Sequence, residues 1–233
     1  MSRTICFATF LLAEFWCCAS TLKAEAPAPA GVQVRVSGES DGPTVVVVAG
    51  GRPEQRFPLH ALRQIRGWPL IRGRLITLSV ESPRPSGGLE KWIASQRPDW
   101  VVELREDFYH PRPGLRTRGG RVIPDKEAAA SGVAGAVVKS VNATLPDARN
   151  RFRVRAMDER EDSMALAIGR SPTVAGLLLV TSARRNTTPT REFRVAVRIR
   201  QQRLMVHRLL RELKMISAKV APDRYLPAGT TGR

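Results

Sequence analysis

Three mostly apolar runs, rich in β-branched residues, alternate with helical segments, and this alternation constrains the fold more than any other feature. The runs cover Thr44–Val48, Arg74–Val80 and Trp100–Leu104. Such runs are typical of strands that are buried on both faces of a sheet. A helix is predicted at Leu59–Ile65 from its apolar spacing, and another at Glu90–Ser95, where a proline stop follows. The strand–helix–strand order predicts a layered α/β fold with crossover connections.

The rest of the chain adds weaker signals of the same kind. Val32–Val36 and Val174–Val180 are predicted as strands, and Lys126–Val141 and Arg194–Ile216 as helices. The charged segment Pro146–Ser163 is predicted as a surface loop. A chain of 233 residues is long enough for one ordinary domain with a real core. We therefore expect a single α/β domain with a mixed, mostly parallel sheet flanked by helices.

Residues 1–26 have the pattern of a secretory signal peptide. Arg3 supplies a positive start, Ile5–Phe15 is mostly apolar, and Ala24–Ala26 fits a small-residue cleavage site. We expect cleavage near Ala26 and export to the periplasm or the extracellular space, with no membrane span in the mature chain. A leader that is retained as a membrane anchor remains an open alternative.

The composition of the chain after the predicted signal peptide indicates three segments. Residues 27–40 are predicted as a linker with an N-terminal strand, residues 41–216 as the folded domain, and residues 217–233 as a flexible tail. The leader holds all three cysteines, Cys6, Cys17 and Cys18. After cleavage the chain therefore has no disulfide and no thiolate metal ligand.

The net charge of +17 favours an anionic partner, whether a small molecule, a peptide or an envelope polymer. Specific nucleic-acid binding is not expected, because aromatic residues make up only 6% of the chain and offer little surface for base stacking. A basic stripe is predicted on the solvated face of the last helix. It comprises Arg200, Arg203, His207 and Arg211.

Four segments, taken in order, resemble the zinc carboxypeptidase superfamily, and most of all its succinylglutamate desuccinylase and aspartoacylase-like branch. They are Asp41–Gly50, Trp68–Leu75, Arg97–Glu106 and Arg198–His207. The resemblance covers about residues 41–216. It implies a zinc-carboxypeptidase-like fold and, in the family, a zinc-dependent hydrolysis.

The resemblance also implies that the zinc chemistry has been lost. It puts the three zinc-ligand positions at Arg52, Gln55 and Arg105, and the general-base position near Thr181. These four residues are called the strand-end site below. An arginine side chain has no lone pair for a metal, and a threonine hydroxyl does not accept a proton at neutral pH. No catalytic residue and no bound metal are therefore expected, and the chain is interpreted as an exported, catalytically inactive homologue.

Two other functions remain open. One is an active metal-dependent hydrolase, a carboxypeptidase or an N-acyl-amino-acid deacylase, with relocated ligands. His110 is the histidine nearest to the strand-end site and has Glu106 and Asp107 beside it. The other is a basic envelope protein that binds acidic polymers through its whole surface.

The substitutions themselves lead to a binding hypothesis. Arg52 and Arg105, with Arg84 nearby, restore about the charge of the lost zinc ion. Guanidinium groups at strand carboxyl ends bind a carboxylate, phosphate or sulfate well, because two parallel hydrogen bonds form. In the competing interpretation the arginines pair with neighbouring carboxylates and fill the pocket. The carboxylates available are Glu54, Glu103, Glu106 and Asp107.

Overall fold

The chain, in a computed structural model, forms one mixed seven-stranded sheet with helices on both faces. The residues that the structure describes are 27–39, 41–51, 56–81, 88–107, 120–146, 148, 151–158, 162–182 and 191–222. Within these ranges, no helix is long and apolar enough to cross a membrane.

The described elements are seven strands and six helices. The strands are β1 (Val32–Gly38), β2 (Thr44–Gly50), β3 (Arg74–Val80), β4 (Trp100–Asp107), β5 (Arg121–Pro124), β6 (Arg153–Val154) and β7 (Ala175–Ser182). The helices are α1 (Arg56–Ile65), α2 (Gly88–Ser95), α3 (Lys126–Ala130), α4 (Val133–Ala143), α5 (Met164–Ile168) and α6 (Arg191–Glu212).

Four parallel strands form the centre of the sheet, and one antiparallel pairing on each side joins them to the outer strands, of which β6 runs parallel to β5. The strand order is β1-β3-β2-β4-β7-β5-β6. Strands β3, β2, β4 and β7 run parallel, whereas β1 is antiparallel to β3 and β5 is antiparallel to β7. Residues 45–49 of β2 are all buried, as expected for a strand covered on both faces. The predicted α/β fold with a mixed, mostly parallel sheet is confirmed.

The two faces of the sheet have separate hydrophobic cores. Helices α1, α4 and α6 cover one face, where Leu62, Leu104 and Leu209 are buried together. Helices α2 and α5 cover the other face, where Ile76 and Ile93 lie in one cluster. Successive residues of a strand point to opposite faces, so each strand contributes alternately to the two cores. The same alternation decides on which face each residue at the end of β4 lies.

Two predicted elements differ from the structure. The single helix predicted at Lys126–Val141 is wrong, because the chain forms α3 and α4 with a break at Gly132. That glycine has a φ of 70°, a left-handed conformation that interrupts a helix at little cost for a residue without a Cβ. The predicted surface loop 146–163 contains the buried Phe152 and the two-residue strand β6. Strand β5, with four residues, is too short to be recognised from its pattern.

The last helix is buried over much more of its circumference than predicted. The prediction that the basic stripe is solvated is wrong for Arg203 and His207, which are only 4% and 1% exposed. Arg203 donates a hydrogen bond to the side-chain oxygen of Gln64 (2.6 Å), and the His207 ring packs edge-on against Trp68. His207 Nε2 also lies 2.7 Å from the carbonyl oxygen of Val220.

The predicted tail begins at residue 217, and Val220 within it is buried. Residues 223–233 of the predicted tail lie outside the described residues.

Candidate functional site

Two residues of the strand-end site, Arg105 and Thr181, lie at the carboxyl ends of the neighbouring strands β4 and β7. The strands pair in parallel, with Glu106 opposite Thr181 in the register. Because side chains alternate along a strand, Thr181 and Glu106 share the face covered by α6, and Arg105 points to the opposite face. The other predicted site residues, Arg52, Gln55 and Arg84, lie outside the described residues.

The Arg105 guanidinium is tied to the fold. Its Nη2 donates to a carboxylate oxygen of Glu103 at 2.6 Å and to the carbonyl oxygen of Asp162 at 2.5 Å. The side chains of Arg105 and Glu103 are only 16% and 12% exposed, so water screens this ion pair less than it screens a surface pair. The internal pairing with a neighbouring carboxylate, which the sequence left open, is therefore present for Arg105.

Glu103 links the same ion pair to helix α5. Its second carboxylate oxygen accepts hydrogen bonds from the Ser163 hydroxyl (2.7 Å) and from the backbone amides of Met164 (2.8 Å) and Ala165 (3.3 Å). A carboxylate at this place also neutralises the partial positive charge of a helix start. Glu103 therefore holds Arg105 on one side and the start of α5 on the other.

The opposite face has a second polar network around Thr181. The Gln202 side-chain nitrogen donates to the Thr181 hydroxyl (2.9 Å) and to the Arg105 carbonyl (3.1 Å), which joins α6 to both strand ends. Glu106 forms an ion pair with Arg198, and the Arg198 guanidinium lies 4.9 Å from the centre of the Phe57 ring. Thr181 and Glu106 are both buried, so this network belongs to the interior.

Glu106 is the one group in this network whose proton affinity is strongly changed. Burial raises the pKa of Glu106 from 4.5 to about 7, although the positive charge of Arg198 and a hydrogen bond with it lower the pKa. A carboxylate with such a pKa is suited to general-base chemistry, but a base must reach a water or a substrate. With 2% of its surface exposed, Glu106 has little access to either. The sequence identified Glu106 as an ion-pair candidate and as a neighbour of His110, but its burial depends on how α6 packs.

Neither histidine in the described ranges lies at the strand ends with a metal-binding partner. His60 is exposed on α1, whereas His207 is buried against Trp68. His110, the relocated ligand considered above, lies outside the described residues. Across the described part of the chain, no group of three histidine, cysteine, aspartate or glutamate side chains lies close enough to hold a metal ion.

A cavity of about 570 Å³ lies at the opposite end of the central strands. It is lined by α2 and by the residues that precede β4 and β7, among them Lys91, Arg97 and Asp99. Asp99 also accepts a hydrogen bond from the Thr44 amide (2.7 Å), which fixes the start of β2. This cavity is therefore distinct from the strand-end site.

The comparisons with known proteins identify the fold. The chain is similar to the ectoine utilization protein EutE (DoeB) from Ruegeria pomeroyi, with a TM-score of 0.52 and 13% identity over 81% of this chain and 62% of that protein. It is equally similar to an aspartoacylase family protein from Mesorhizobium loti, with a TM-score of 0.52 and 13% identity over 83% of this chain and 66% of that protein. The γ-secretase component nicastrin gives a TM-score of 0.52 with 6% identity, over 80% of this chain and 44% of nicastrin.

These likenesses confirm the predicted resemblance at the level of the fold. The sequence itself matches no family model and no curated protein. The chain spans less than two thirds of the length of each of the three proteins it resembles. It therefore has the α/β architecture of EutE (DoeB) and of the aspartoacylase family protein.

The side chains at the strand-end site do not fit the zinc ion of the resembled family. A catalytic zinc takes three nitrogen, sulfur or oxygen ligands and keeps a further position for water. Arg52 and Arg105 have only donor nitrogens, and the Gln55 amide oxygen is a weak ligand without charge. The nearest carboxylate on the same face of β4 is that of Glu103, and it already accepts a hydrogen bond from Arg105.

Proposed function

We propose that this protein is an exported, non-hydrolytic protein built on the aspartoacylase and desuccinylase-like fold, and that it binds an anionic ligand at the strand-end site. The observation that carries the proposal is the bond between Arg105 and Glu103. At the position predicted for the third zinc ligand, Arg105 supplies a fixed cation, which is held by a carboxylate that is itself anchored to α5.

Part of the Arg105 guanidinium remains available for a ligand. Both hydrogen bonds of the side chain use Nη2, and in the described ranges Nε and Nη1 have no hydrogen-bond partner. The side chain keeps 16% of its surface exposed. The Nε–H and Nη1–H groups point in different directions, so a carboxylate can accept a hydrogen bond from one of them. An anionic peptide or an acyl-amino acid carries such a group, and so does an acidic envelope polymer.

Glu103 sets the strength of this binding. The negative charge of Glu103 compensates the positive charge of Arg105. We therefore expect Glu103 to lower the affinity of Arg105 for an anionic ligand. Replacing Glu103 by glutamine keeps an oxygen for the α5 amides and removes the charge. This Glu103→Gln variant should therefore bind anions more tightly than the wild type, whereas Arg105→Ala should bind them more weakly.

The test is a calorimetric titration of the mature protein with acetylglutamate, at low salt. We expect Arg105→Ala to weaken binding by roughly tenfold and Glu103→Gln to strengthen it by a similar factor. Arg170→Gln removes an exposed charge elsewhere and serves as the matched control, with wild-type affinity expected. Equal affinities in all four proteins would refute binding at this site.

A second experiment tests the assignment of the ligand positions. The triple variant Arg52→His/Gln55→Glu/Arg105→His reinstates the ligand types of the resembled family. If the assignment is correct, this variant takes up zinc in proportion to protein, and the wild type does not. A correctly folded triple variant that takes up no more zinc than the wild type would show that these residues do not converge.

A further inference from the structure

We propose that three arginines at the β1 edge of the sheet, Arg35, Arg63 and Arg66, form a binding site for a tetrahedral oxyanion such as a phosphate group. These three residues are called the arginine cluster. Arg35 lies on the edge strand β1, Arg63 in the last turn of α1, and Arg66 directly after that helix. The inference does not depend on the function proposed for the strand-end site.

The fold brings the cluster together on one face. Arg66 Nε donates to the Thr77 hydroxyl (3.1 Å) and Arg66 Nη2 to the Ser79 hydroxyl (2.5 Å), so its guanidinium lies over β3. Arg35 is the register partner of Thr77 in the antiparallel pair β1–β3, and paired residues point to the same face. Arg35 therefore extends over the same patch of the sheet, and Arg63 reaches it from α1.

The positive charges of the cluster are not compensated by an ion pair in the described part of the chain, because none of the three side chains pairs with a carboxylate there. Glu81 lies just beyond the end of β3 and accepts a hydrogen bond from Gln33 (3.1 Å). The two groups that Arg66 does contact, the Thr77 and Ser79 hydroxyls, are neutral. The contrast with Arg105 is direct, since each Arg105 bond ends on a carboxylate or carbonyl oxygen.

The electrostatics agree with the geometry. Burial lowers the pKa of Arg66, and the positive charges of Arg35 and Arg63 lower it further. Three like charges that repel each other in this way are stabilised by an anion placed among them. The guanidinium groups offer paired donors that match the oxygens of a phosphate. The exposure of Arg35 and Arg63 leaves the patch open to a ligand from solvent.

The matched variants are two double substitutions with the same change in net charge. Arg35→Gln/Arg63→Gln removes the exposed half of the cluster. Arg153→Gln/Arg170→Gln removes two exposed arginines elsewhere, with Arg153 on β6 at the opposite edge of the sheet. All four positions are exposed, so we expect both variants to fold. Their thermal unfolding is measured first, without ligand.

The experiment titrates each mature protein with inorganic phosphate by calorimetry, and follows the Arg66 Nε–H signal by NMR. We expect saturable one-to-one binding to the wild type, with a shift of the Arg66 signal, and roughly tenfold weaker binding to the cluster variant. The control variant should bind like the wild type. Equal weakening in both double variants, or no saturable binding to the wild type, would refute the site and indicate a diffuse charge effect.

Vesicles distinguish the source of the phosphate group. Sedimentation with phosphatidylglycerol vesicles, compared with phosphatidylcholine vesicles, is measured for the same proteins. Loss of sedimentation in the cluster variant alone identifies a lipid headgroup as the ligand. Phosphate binding without sedimentation of the wild type identifies a soluble phosphate ester instead.

Discussion

The carboxyl end of β4 and the β1 edge of the sheet both carry arginines, but only the first compensates their charge. Arg105 bonds to Glu103 and Arg198 pairs with Glu106, each within the fold. Arg66 donates to two neutral hydroxyls, and the positive charges of Arg35 and Arg63 lower its pKa. An arginine that forms an ion pair with a carboxylate of the protein mainly stabilises the fold. An arginine without such an ion pair favours binding of an external anion. The comparison thus separates two roles that a count of basic residues does not.

The largest expected effect concerns the pH dependence of the Glu106–Arg198 pair. Because the pKa of Glu106 is raised to about 7, the native state holds a proton that the unfolded chain releases near pH 4.5. Stability from this group is therefore complete below pH 4.5 and is lost as the pH rises to about 7. The pKa difference corresponds to about 3 kcal/mol in the free energy of unfolding.

Glu106→Gln tests this directly, because glutamine resembles the protonated acid. Urea unfolding at pH 5 should give nearly the same stability for variant and wild type. At pH 8 the variant should be more stable than the wild type. The reason is that burying the charged carboxylate destabilises the fold by more than its ion pair with Arg198 stabilises it. A variant that is less stable than the wild type at pH 8 would show that the ion pair stabilises the fold.

The next effect is the stability that Arg105 contributes at the other face. Arg105→Ala removes the bonds to Glu103 and to the Asp162 carbonyl, and we expect a loss of about 2 kcal/mol in the free energy of unfolding. A double-mutant cycle with Glu103→Gln isolates the interaction of the two side chains. A coupling energy near zero would mean that the pair contributes no stability, and the contrast with the arginine cluster would then disappear.

The smallest effect is expected at the arginine cluster itself. Without ligand, Arg35→Gln/Arg63→Gln should keep its stability within about 0.5 kcal/mol or gain slightly, because repulsion around Arg66 is relieved. Adding phosphate should raise the melting temperature of the wild type and leave that of this variant unchanged. A clear loss of stability in the ligand-free variant would assign the cluster a structural role.

The sequence predicts the centre of the fold and the edge strand β1 well, and the opposite edge poorly. Strands β2, β3, β4 and β7 are largely buried on both faces, so each leaves a mostly apolar run. Strands β5 and β6 are only four and two residues long, and no periodicity is visible over such lengths. The burial of Arg203 and His207 depends on the packing of α6 against α1, α4 and the sheet, which no local pattern of charges reveals.

The candidate sites divide in the same way. Glu103 and Arg105 are two residues apart on one strand, so their shared face follows from the sequence alone. That Glu103 also holds the start of α5 depends on a contact 61 residues away, which required the structure. The arginine cluster needs the antiparallel register of β1 with β3 and the end of α1. The sequence predicts the end of α1 at Ile65, but it offers no local signal for the register of β1 with β3.

The most direct test of the account measures zinc in the purified mature protein after exposure to zinc, together with hydrolysis of an N-acyl amino acid and of a peptide. We predict no stoichiometric zinc and no hydrolysis that a chelator abolishes. Zinc bound one to one, with turnover that is lost on chelation and restored by zinc, would contradict the loss of metal chemistry at the end of β4.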